Sequence, residues 1–352
     1  TRPDIFFMAH PGHLQDWFYH GVSKQRAAEL GYEVRLNPRQ APLGSDEWAE
    51  LLEGVDALLT TWGSPTIDAA VLRRNTTARY RATIHNYNKP IIVWGSGIVM
   101  GGGMGLLCGA SHRVVTETSR LAMPEISIGL YPDVGGSYFL PRLPGKSGLF
   151  LGLTGGQMNA ADAMYVGLAD VMVSSAEKEN LLQGLVDYAW NETSSSTLAE
   201  AVNTVLSRLQ KPETEVQSNI GPNMPLINDL CSANNVSEVV NAILTADMQG
   251  DKWLSRAQST LAKGSPITMH LVFEQCKKGA TMSLADCFRM EADMSCRCGE
   301  SGEFQEGVRA LLIDKDMTPQ WKFKKVEDVP EAEIAHFFTS PWSKEAHPLA
   351  AL

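Results

Sequence analysis

The sequence has little of several features that mark particular classes of protein. Its 352 residues include no run of roughly 18 apolar residues, so we expect no membrane-spanning helix. Lys and Arg number 30 against 40 Asp and Glu, and the net charge of −10 disfavours nucleic-acid binding, which needs a basic surface. The amino terminus as given has no basic start followed by a long apolar run, and we expect no signal peptide there.

Cysteine and metal-ligand patterns are also scarce. The six cysteines are unevenly spaced, which is typical of reduced thiols in a cytosolic-type compartment. Cys296 and Cys298 stand too close together for an ordinary zinc knuckle and have no second pair. His10 and His13 flank a Pro-Gly turn, His20 follows, and no carboxylate stands at ligand spacing. We therefore expect loop histidines and no metal.

The first 75 residues alternate between apolar strand patterns and helix patterns. The predicted strands are Asp4–Ala9, Tyr32–Leu36 and Asp56–Trp62, and the predicted helices are Val22–Leu30, Asp46–Glu53 and Thr66–Arg74. Such alternation with short loops is typical of a parallel sheet with helices on both faces. The composition, 44% apolar and 20% charged, is that of a globular α/β protein with one large domain or two ordinary ones.

A glycine-rich turn follows the predicted strand Ile91–Val93. Gly101, Gly102 and Gly103 let the backbone approach a ligand closely, and a short helix is predicted directly after them, over Met104–Ala110. The free N–H groups at the start of that helix favour a phosphate or an oxyanion. A dinucleotide-binding reading fails, because Met100 stands where the last glycine of that pattern belongs.

Two carboxylates follow the turn. Glu125 and Asp133 each stand beside a proline and close to glycines, and neither fits a solvated helix face. Strands are predicted at His112–Thr116 and Arg120–Ala122, just ahead of them. The pair is suited to acid–base or nucleophilic chemistry next to the turn, and two acids that lie within a few ångströms should raise one pKa of the pair.

The runs GIVMGGGMGL and RLAMPEISIGLYPDVGGSYFL resemble the core of the enoyl-CoA hydratase/isomerase (crotonase) superfamily and, within it, the 3-hydroxyisobutyryl-CoA hydrolase branch. The resemblance runs from about residue 76 to the end. It implies a crotonase-like core, an acyl-CoA substrate of valine degradation and no cofactor apart from the coenzyme A of that substrate. It implies catalytic roles for Gly102 (as oxyanion donor), Glu125 and Asp133, and substrate binding by Met100, Gly101, Gly103 and Tyr131.

Two other functions within this superfamily remain open. A hydratase carries a second glutamate where this chain has Gly105, which favours the hydrolase over a hydratase or isomerase. An Ala-Gly-Gly-Asp loop, which supplies the second oxyanion donor in the family, is not found, and a non-catalytic acyl-CoA-binding protein is the remaining alternative. Residues 31–38 and 55–72 resemble the amino-terminal lobe of D-2-hydroxyacid dehydrogenases, but no cofactor fingerprint of that class follows.

The expected organisation has three parts. An α/β segment over residues 1–75 precedes a crotonase-like core over 76–260 and a helical region over 261–352. In the family, the stretch matching Glu303–Trp321 packs across the acyl-CoA site, and we expect a docked segment anchored by Trp321. The sequence leaves open whether the chain forms a homo-oligomer. The expected location is the cytoplasm, or the mitochondrial matrix in a eukaryote.

Overall fold

The computed structural model describes residues 84–87, 89–188, 195–210, 216–350 and 352, together with the backbone of three strands nearer the amino terminus. Contacts divide the chain into two compact units, Thr1–Arg79 and Tyr80–Leu352, and each is described by itself. The predicted boundary between residues 260 and 261 stays a prediction. No helix of the described residues combines the length and the apolar character needed to cross a membrane.

The amino-terminal unit contains a three-stranded parallel sheet. Its strands are β1 (Asp4–Met8), β2 (Glu33–Leu36) and β3 (Ala57–Thr60), in the order β2-β1-β3. All three fall within the predicted strands, and the predicted parallel pairing is confirmed. The three helices predicted within residues 1–75, and the histidines of the first loop, lie outside the described residues.

The second unit is built on two small parallel sheets. One has the order β4 (Ile92–Gly95), β6 (His112–Val115) and β8 (Val171–Met172), and the other pairs β5 (Ile98–Met100) with β7 (Arg120–Ala122). In the second pair, Ile98 stands opposite Arg120 and Met100 opposite Ala122. This register brings the carboxyl ends of β5 and β7 to the same edge, so the glycine turn and Glu125 leave the sheet together.

Helices surround these sheets. Among the described residues they are α1 Gly102–Gly109, α2 Gly136–Phe139, α3 Ser147–Thr154, α4 Ala160–Tyr165, α5 Lys178–Val186, α6 Ser195–Leu209, α7 Ile220–Leu230, α8 Val236–Thr245, α9 Lys252–Lys263, α10 Pro266–Gly279, α11 Leu284–Ser301, α12 Glu303–Val308 and α13 Glu331–Phe337. A 3₁₀ turn at Glu125–Ile128 follows β7. The helical carboxyl-terminal region predicted from the sequence is confirmed.

Three buried clusters hold the unit together. The largest joins α1, β7 and α3 to the helices that follow, and Leu107, Leu121 and Phe150 within it are 0% exposed. A second cluster gathers around Tyr131, against α10, α11 and α13. The third lies between β6, β8 and helices α5 and α6. The stretch from β7 to Tyr131, which carries Glu125, therefore connects the first cluster to the second.

Among the helices, two details differ from what sequence patterns indicate. Helix α1 begins at Gly102 and not at Met104, so two of the three glycines form its first turn. Gly and Pro in succession usually indicate the interruption of a helix, yet α7 spans Ile220–Leu230 across Gly221 and Pro222. Pro222 falls in the first turn of α7, where a backbone N–H has no helical acceptor, and the missing N–H therefore costs little.

Candidate active site

The glycine turn forms a sharp corner between β5 and α1. Gly101 has φ 50° and ψ −116°, a left-handed conformation that favours glycine. Its carbonyl accepts from the N–H groups of Met104 (2.9 Å) and Gly105 (3.3 Å), which starts the helix. The N–H groups of Gly102 and Gly103 precede that first bond, and none of the described residues offers them a backbone acceptor. Because Gly102 is exposed, its N–H is available to a ligand at the positive end of α1.

Glu125 lies against this corner. It begins the 3₁₀ turn that follows β7, and only 5% of its surface is exposed. A Cβ built on Gly101 would lie 3.4 Å from Glu125 Oε1. The other carboxylate oxygen, Oε2, is buried and has no hydrogen-bond partner among the described residues. The structure therefore brings the Glu125 carboxylate next to Gly101 through Oε1, while its second oxygen has no hydrogen-bond partner among the described residues.

Asp133 is electrostatically coupled to Glu125. Burial and, second, the negative charge of Asp133 raise the pKa of Glu125 well above its ordinary value, while a backbone hydrogen bond lowers it. Asp133 itself is half-buried on the loop after the 3₁₀ turn. The interaction fits the expectation that the two acids share one region, and it makes a protonated Glu125 easier to form than an exposed glutamic acid would be.

Tyr131 occupies a different kind of position. Its side chain is 0% exposed, and its hydroxyl donates to the Glu291 carbonyl at 2.5 Å and lies 2.7 Å from Ser295 Oγ. Burial, with the nearby charges of Glu291 and Asp133, raises its pKa well above the ordinary value, so the phenol stays protonated. This geometry fits a residue that anchors the loop, and direct contact of Tyr131 with substrate stays a prediction, as it does for Met100 and Gly103.

A cavity of about 220 Å³ opens next to this region. Gly105 and Cys108 of α1 line one wall, and Val134 and Gly135, directly after Asp133, line the other. Glu125 is not among its lining residues. Burial raises the pKa of Cys108 to about 12, with Arg113 opposing, so the thiol remains protonated and is a poor nucleophile.

A larger groove of about 550 Å³ lies elsewhere on the unit. It is lined by residues that include Arg120, Lys252 and Arg256. Arg120 begins β7 and Glu125 follows its end, so the groove lies toward the opposite end of the strand from the glycine corner. Among the described residues, no group of three His, Cys, Asp or Glu side chains gathers as a metal site would require.

Residues 129–137, which include Asp133, are called the acid loop here. The residues that hold this loop in place were not predicted from the sequence. Glu291, 5% exposed in α11, accepts hydrogen bonds from the N–H groups of Gly135 and Ser137, each at 2.9 Å. Gln275 of α10 donates to the Pro132 carbonyl at 2.9 Å. Both contacts span more than 140 positions of sequence, and no local pattern signals them.

Comparison with known proteins gives one family. The profile of the enoyl-CoA hydratase/isomerase family matches residues 69–338. A mitochondrial 3-hydroxyisobutyryl-CoA hydrolase from Danio rerio is 40% identical over 258 residues, which is 73% of this chain and 66% of that protein. The Homo sapiens protein of the same name is 35% identical over 257 residues, 73% and 65% of the two chains. The chain thus spans slightly less than two thirds of these relatives.

Solved structures give the same fold. An enoyl-CoA hydratase from Rhodobacter sphaeroides superposes with a TM-score of 0.64 at 30% identity, over 77% of this chain and 74% of that one. A carnitinyl-CoA dehydratase from Mycobacterium thermoresistibile gives a TM-score of 0.67 at 29% identity, over 84% and 87%. The predicted crotonase-like core, preceded by an atypical α/β segment, is confirmed.

Proposed function

Because the chain belongs to the enoyl-CoA hydratase/isomerase family, we propose that it is an enzyme that hydrolyses a short branched hydroxyacyl-CoA thioester of the 3-hydroxyisobutyryl-CoA type. Relatives named 3-hydroxyisobutyryl-CoA hydrolase support this substrate class. The observation that carries the chemistry is the buried Glu125 carboxylate against Gly101, with one oxygen unpartnered among the described residues. A carboxylate held in this way is available to a reacting carbonyl or to water.

In the proposed reaction, the thioester oxygen accepts a hydrogen bond from the Gly102 N–H as negative charge develops on it. Glu125 either adds its carboxylate to the thioester carbon, forming an anhydride that water then opens, or takes a proton from a water that adds directly. In both routes the carbon–sulfur bond breaks and the sulfur leaves with a proton as free thiol. The products are the hydroxy acid and coenzyme A, and no cofactor is needed because coenzyme A is part of the substrate.

Asp133 orients the substrate hydroxyl or the attacking water in this proposal. The cavity of about 220 Å³ that Gly105 and Val134 help to line is of a size that suits a short acyl group. The proposal assigns one oxyanion donor, the Gly102 N–H, and removing such a donor costs about 10²–10³ in rate in enzymes of this kind. A matrix location in a eukaryote agrees with the mitochondrial names of the relatives.

Hydration of an enoyl-CoA is the second candidate function. The solved neighbours titled enoyl-CoA hydratase and carnitinyl-CoA dehydratase favour it. Against it stands Gly105, which is buried in α1 and provides no acid where hydratases of this family carry one. Acyl-CoA binding without turnover is the third outcome that an experiment has to distinguish.

A substrate panel on the purified chain tests the proposal. We expect stoichiometric release of free thiol from 3-hydroxyisobutyryl-CoA, followed with a thiol reagent, and no loss of the enoyl absorbance of crotonyl-CoA. Loss of that absorbance without thiol release would mean a hydratase. Tight binding of both compounds with neither change would mean a non-catalytic protein, and either result rejects the hydrolase.

A further inference from the structure

The loop that carries Asp133 is held from behind by two helices of the carboxyl-terminal region. Glu291 of α11 receives the N–H groups of Gly135 and Ser137, both at 2.9 Å. Gln275 of α10, which is 0% exposed, donates to the Pro132 carbonyl at 2.9 Å. These contacts bracket Asp133, with one residue tied on its amino-terminal side and two on its carboxyl-terminal side.

The backbone between these hydrogen-bonded residues is strained. Val134, the residue directly after Asp133, has φ 58°. A β-branched side chain rarely adopts this left-handed region, and such a conformation persists only where the surroundings over-determine it. The two amide hydrogen bonds to Glu291 come from the residues just beyond Val134, so they are the contacts best placed to hold the strained turn.

The ionised form of Glu291, which accepts both hydrogen bonds, is favoured by those bonds and disfavoured by burial. Burial raises its pKa to about 7, while the hydrogen bonds from Gly135 and Ser137 lower it and the charge of Asp133 raises it. A carboxylate offers two acceptor oxygens at fixed separation, and both are used by the loop. A glutamine at this position would present one oxygen and one NH₂ group, so one of the two buried backbone N–H groups would face a donor.

We propose that Glu291 is a positioning residue for the thioester hydrolysis proposed above: its carboxylate fixes the Gly135 and Ser137 amides and so sets where Asp133 stands relative to Glu125. Glu291 does not touch the reacting atoms in this account. The inference rests on the proposed function for its kinetic consequence, whereas its structural part stands on the loop geometry alone.

Steady-state kinetics of Glu291→Gln test the positioning role. We expect kcat to fall by up to about 10²-fold, the cost of a small misplacement of a catalytic group, with KM changed by less than about threefold. Glu291→Gln is then combined with Asp133→Asn. Because Glu291 acts through Asp133, Glu291→Gln should cost almost nothing in kcat when it is made in the Asp133→Asn variant. If Glu291→Gln lowers kcat by the same factor in wild type and in Asp133→Asn, the proposal is overturned.

Asp162→Asn is the matched control. Asp162 is 0% exposed and also accepts backbone N–H groups, from Asn159 at 3.0 Å, Asn219 at 2.6 Å and Ile220 at 2.8 Å, but these lie at the starts of α4 and α7 and not on the acid loop. It should lose thermal stability as Glu291→Gln does, yet keep kcat within about twofold of wild type. A matching fall of kcat in the control would reduce the Glu291 effect to general destabilisation and contradict the proposal.

Hydrogen–deuterium exchange separates this inference from the proposed function. In Glu291→Gln, peptides covering residues 131–139 should exchange faster than in wild type, and in Asp162→Asn they should not. If wild type hydrolyses no acyl-CoA, the hydrolase proposal fails while the exchange data still decide the loop contact. Unchanged exchange over 131–139 would show that Glu291 does not hold the loop, whatever the kinetics.

Discussion

Glu125 differs from the other deeply buried acids of the described residues in how its carboxylate is used. Asp162, Glu291 and Glu303 each accept hydrogen bonds from backbone N–H groups, which is how buried carboxylates are normally stabilised. In Glu125, by contrast, Oε2 has no hydrogen-bond partner among these residues. Its other oxygen, Oε1, lies next to Gly101, 3.4 Å from where a Cβ on that glycine would be. Three of the four acids therefore have backbone donors for their carboxylates, whereas Glu125 keeps one buried oxygen without a partner among the described residues, which agrees with its proposed role toward a reacting group.

The first prediction concerns the charge of Asp133. Asp133→Asn removes a negative charge that raises the pKa of Glu125, so that pKa should fall although burial still holds it above its ordinary value. Glu125 must be ionised to act as nucleophile or base, so activity is lost as pH falls through its pKa. The acid limb of the kcat–pH profile should therefore move to lower pH in Asp133→Asn, together with a lower plateau.

Glu300→Gln serves as the control for this measurement, because Glu300 is exposed on α11 and its removal changes the net charge by the same amount. Its acid limb should coincide with that of wild type. An acid limb that stays in place or moves to higher pH in Asp133→Asn would mean that Asp133 does not act on Glu125.

At the scale of elements, the turn that carries Glu125 is fixed by close contact with α12. A Cβ on Gly307 of α12 would lie 2.3 Å from the backbone carbon of Ile128, and one on Gly129 would lie 2.5 Å from the Glu303 carbonyl oxygen. Both obstacles are backbone atoms, which cannot swing aside as a flexible side chain could. The two glycines therefore allow α12 and the 3₁₀ turn to approach each other.

The second prediction tests that contact. Gly307→Ala should lower the free energy of unfolding by about 1–3 kcal/mol through overpacking, and it should also lower kcat because the Glu125 turn has to shift. Gly299→Ala in α11 is the control: a Cβ built there would meet no atom of another part of the described chain within 4 Å, and an alanine should stabilise the helix by about 0.5–1 kcal/mol. Urea unfolding measures the free energy of unfolding of both variants. A Gly307→Ala variant as stable as wild type would rule out the close approach of α12 and the 3₁₀ turn.

Sequence patterns predicted the elements that have strong local signals. One such signal is Asn159 followed three residues later by Asp162: helix α4 begins after Asn159, whose side chain accepts from the Asp162 N–H while Asp162 accepts from the Asn159 N–H. Strand β7 matches its predicted bounds. Strand β5 was not predicted, because its three residues lie between Gly97 and Gly101 and are defined by pairing with β7.

The candidate site could be predicted only in part for the same reason. Gly102, Glu125 and Asp133 stand in a run of sequence that matches the family, so a local comparison finds them. Glu291 reaches the acid loop across 156 positions of sequence, and its neighbours in α11 form an ordinary amphipathic helix. Contacts of this kind become visible only when the helices are packed.

At the scale of the whole molecule, the carboxyl-terminal segment is part of the second unit's packing. Trp321 is 9% exposed and donates its indole N–H to the Lys263 carbonyl at 2.9 Å, which confirms the predicted anchor. Glu303 receives the Lys322 N–H at 2.6 Å and the Ser265 hydroxyl. The segment thereby ties α12, which backs the Glu125 turn, to the start of α10.

The third prediction separates the bulk of Trp321 from its hydrogen bond. Trp321→Ala should lower the free energy of unfolding by about 3–5 kcal/mol, because a large buried ring is lost. Trp321→Phe keeps most of the apolar surface and should cost about 1 kcal/mol, the value of the lost hydrogen bond. Denaturant unfolding of both variants gives the comparison. Equal and small losses would mean that the segment is not anchored at this residue.

The most direct test of the account is a single-turnover measurement of thiol release from 3-hydroxyisobutyryl-CoA by wild type, Glu125→Gln and the exposed control Glu300→Gln. We predict release by wild type and by the control at similar rates, and a rate lower by about 10²–10⁴ in Glu125→Gln, the usual contribution of a positioned acid–base group. Release by Glu125→Gln at the wild-type rate would contradict the assignment of the chemistry to the carboxylate at the glycine corner.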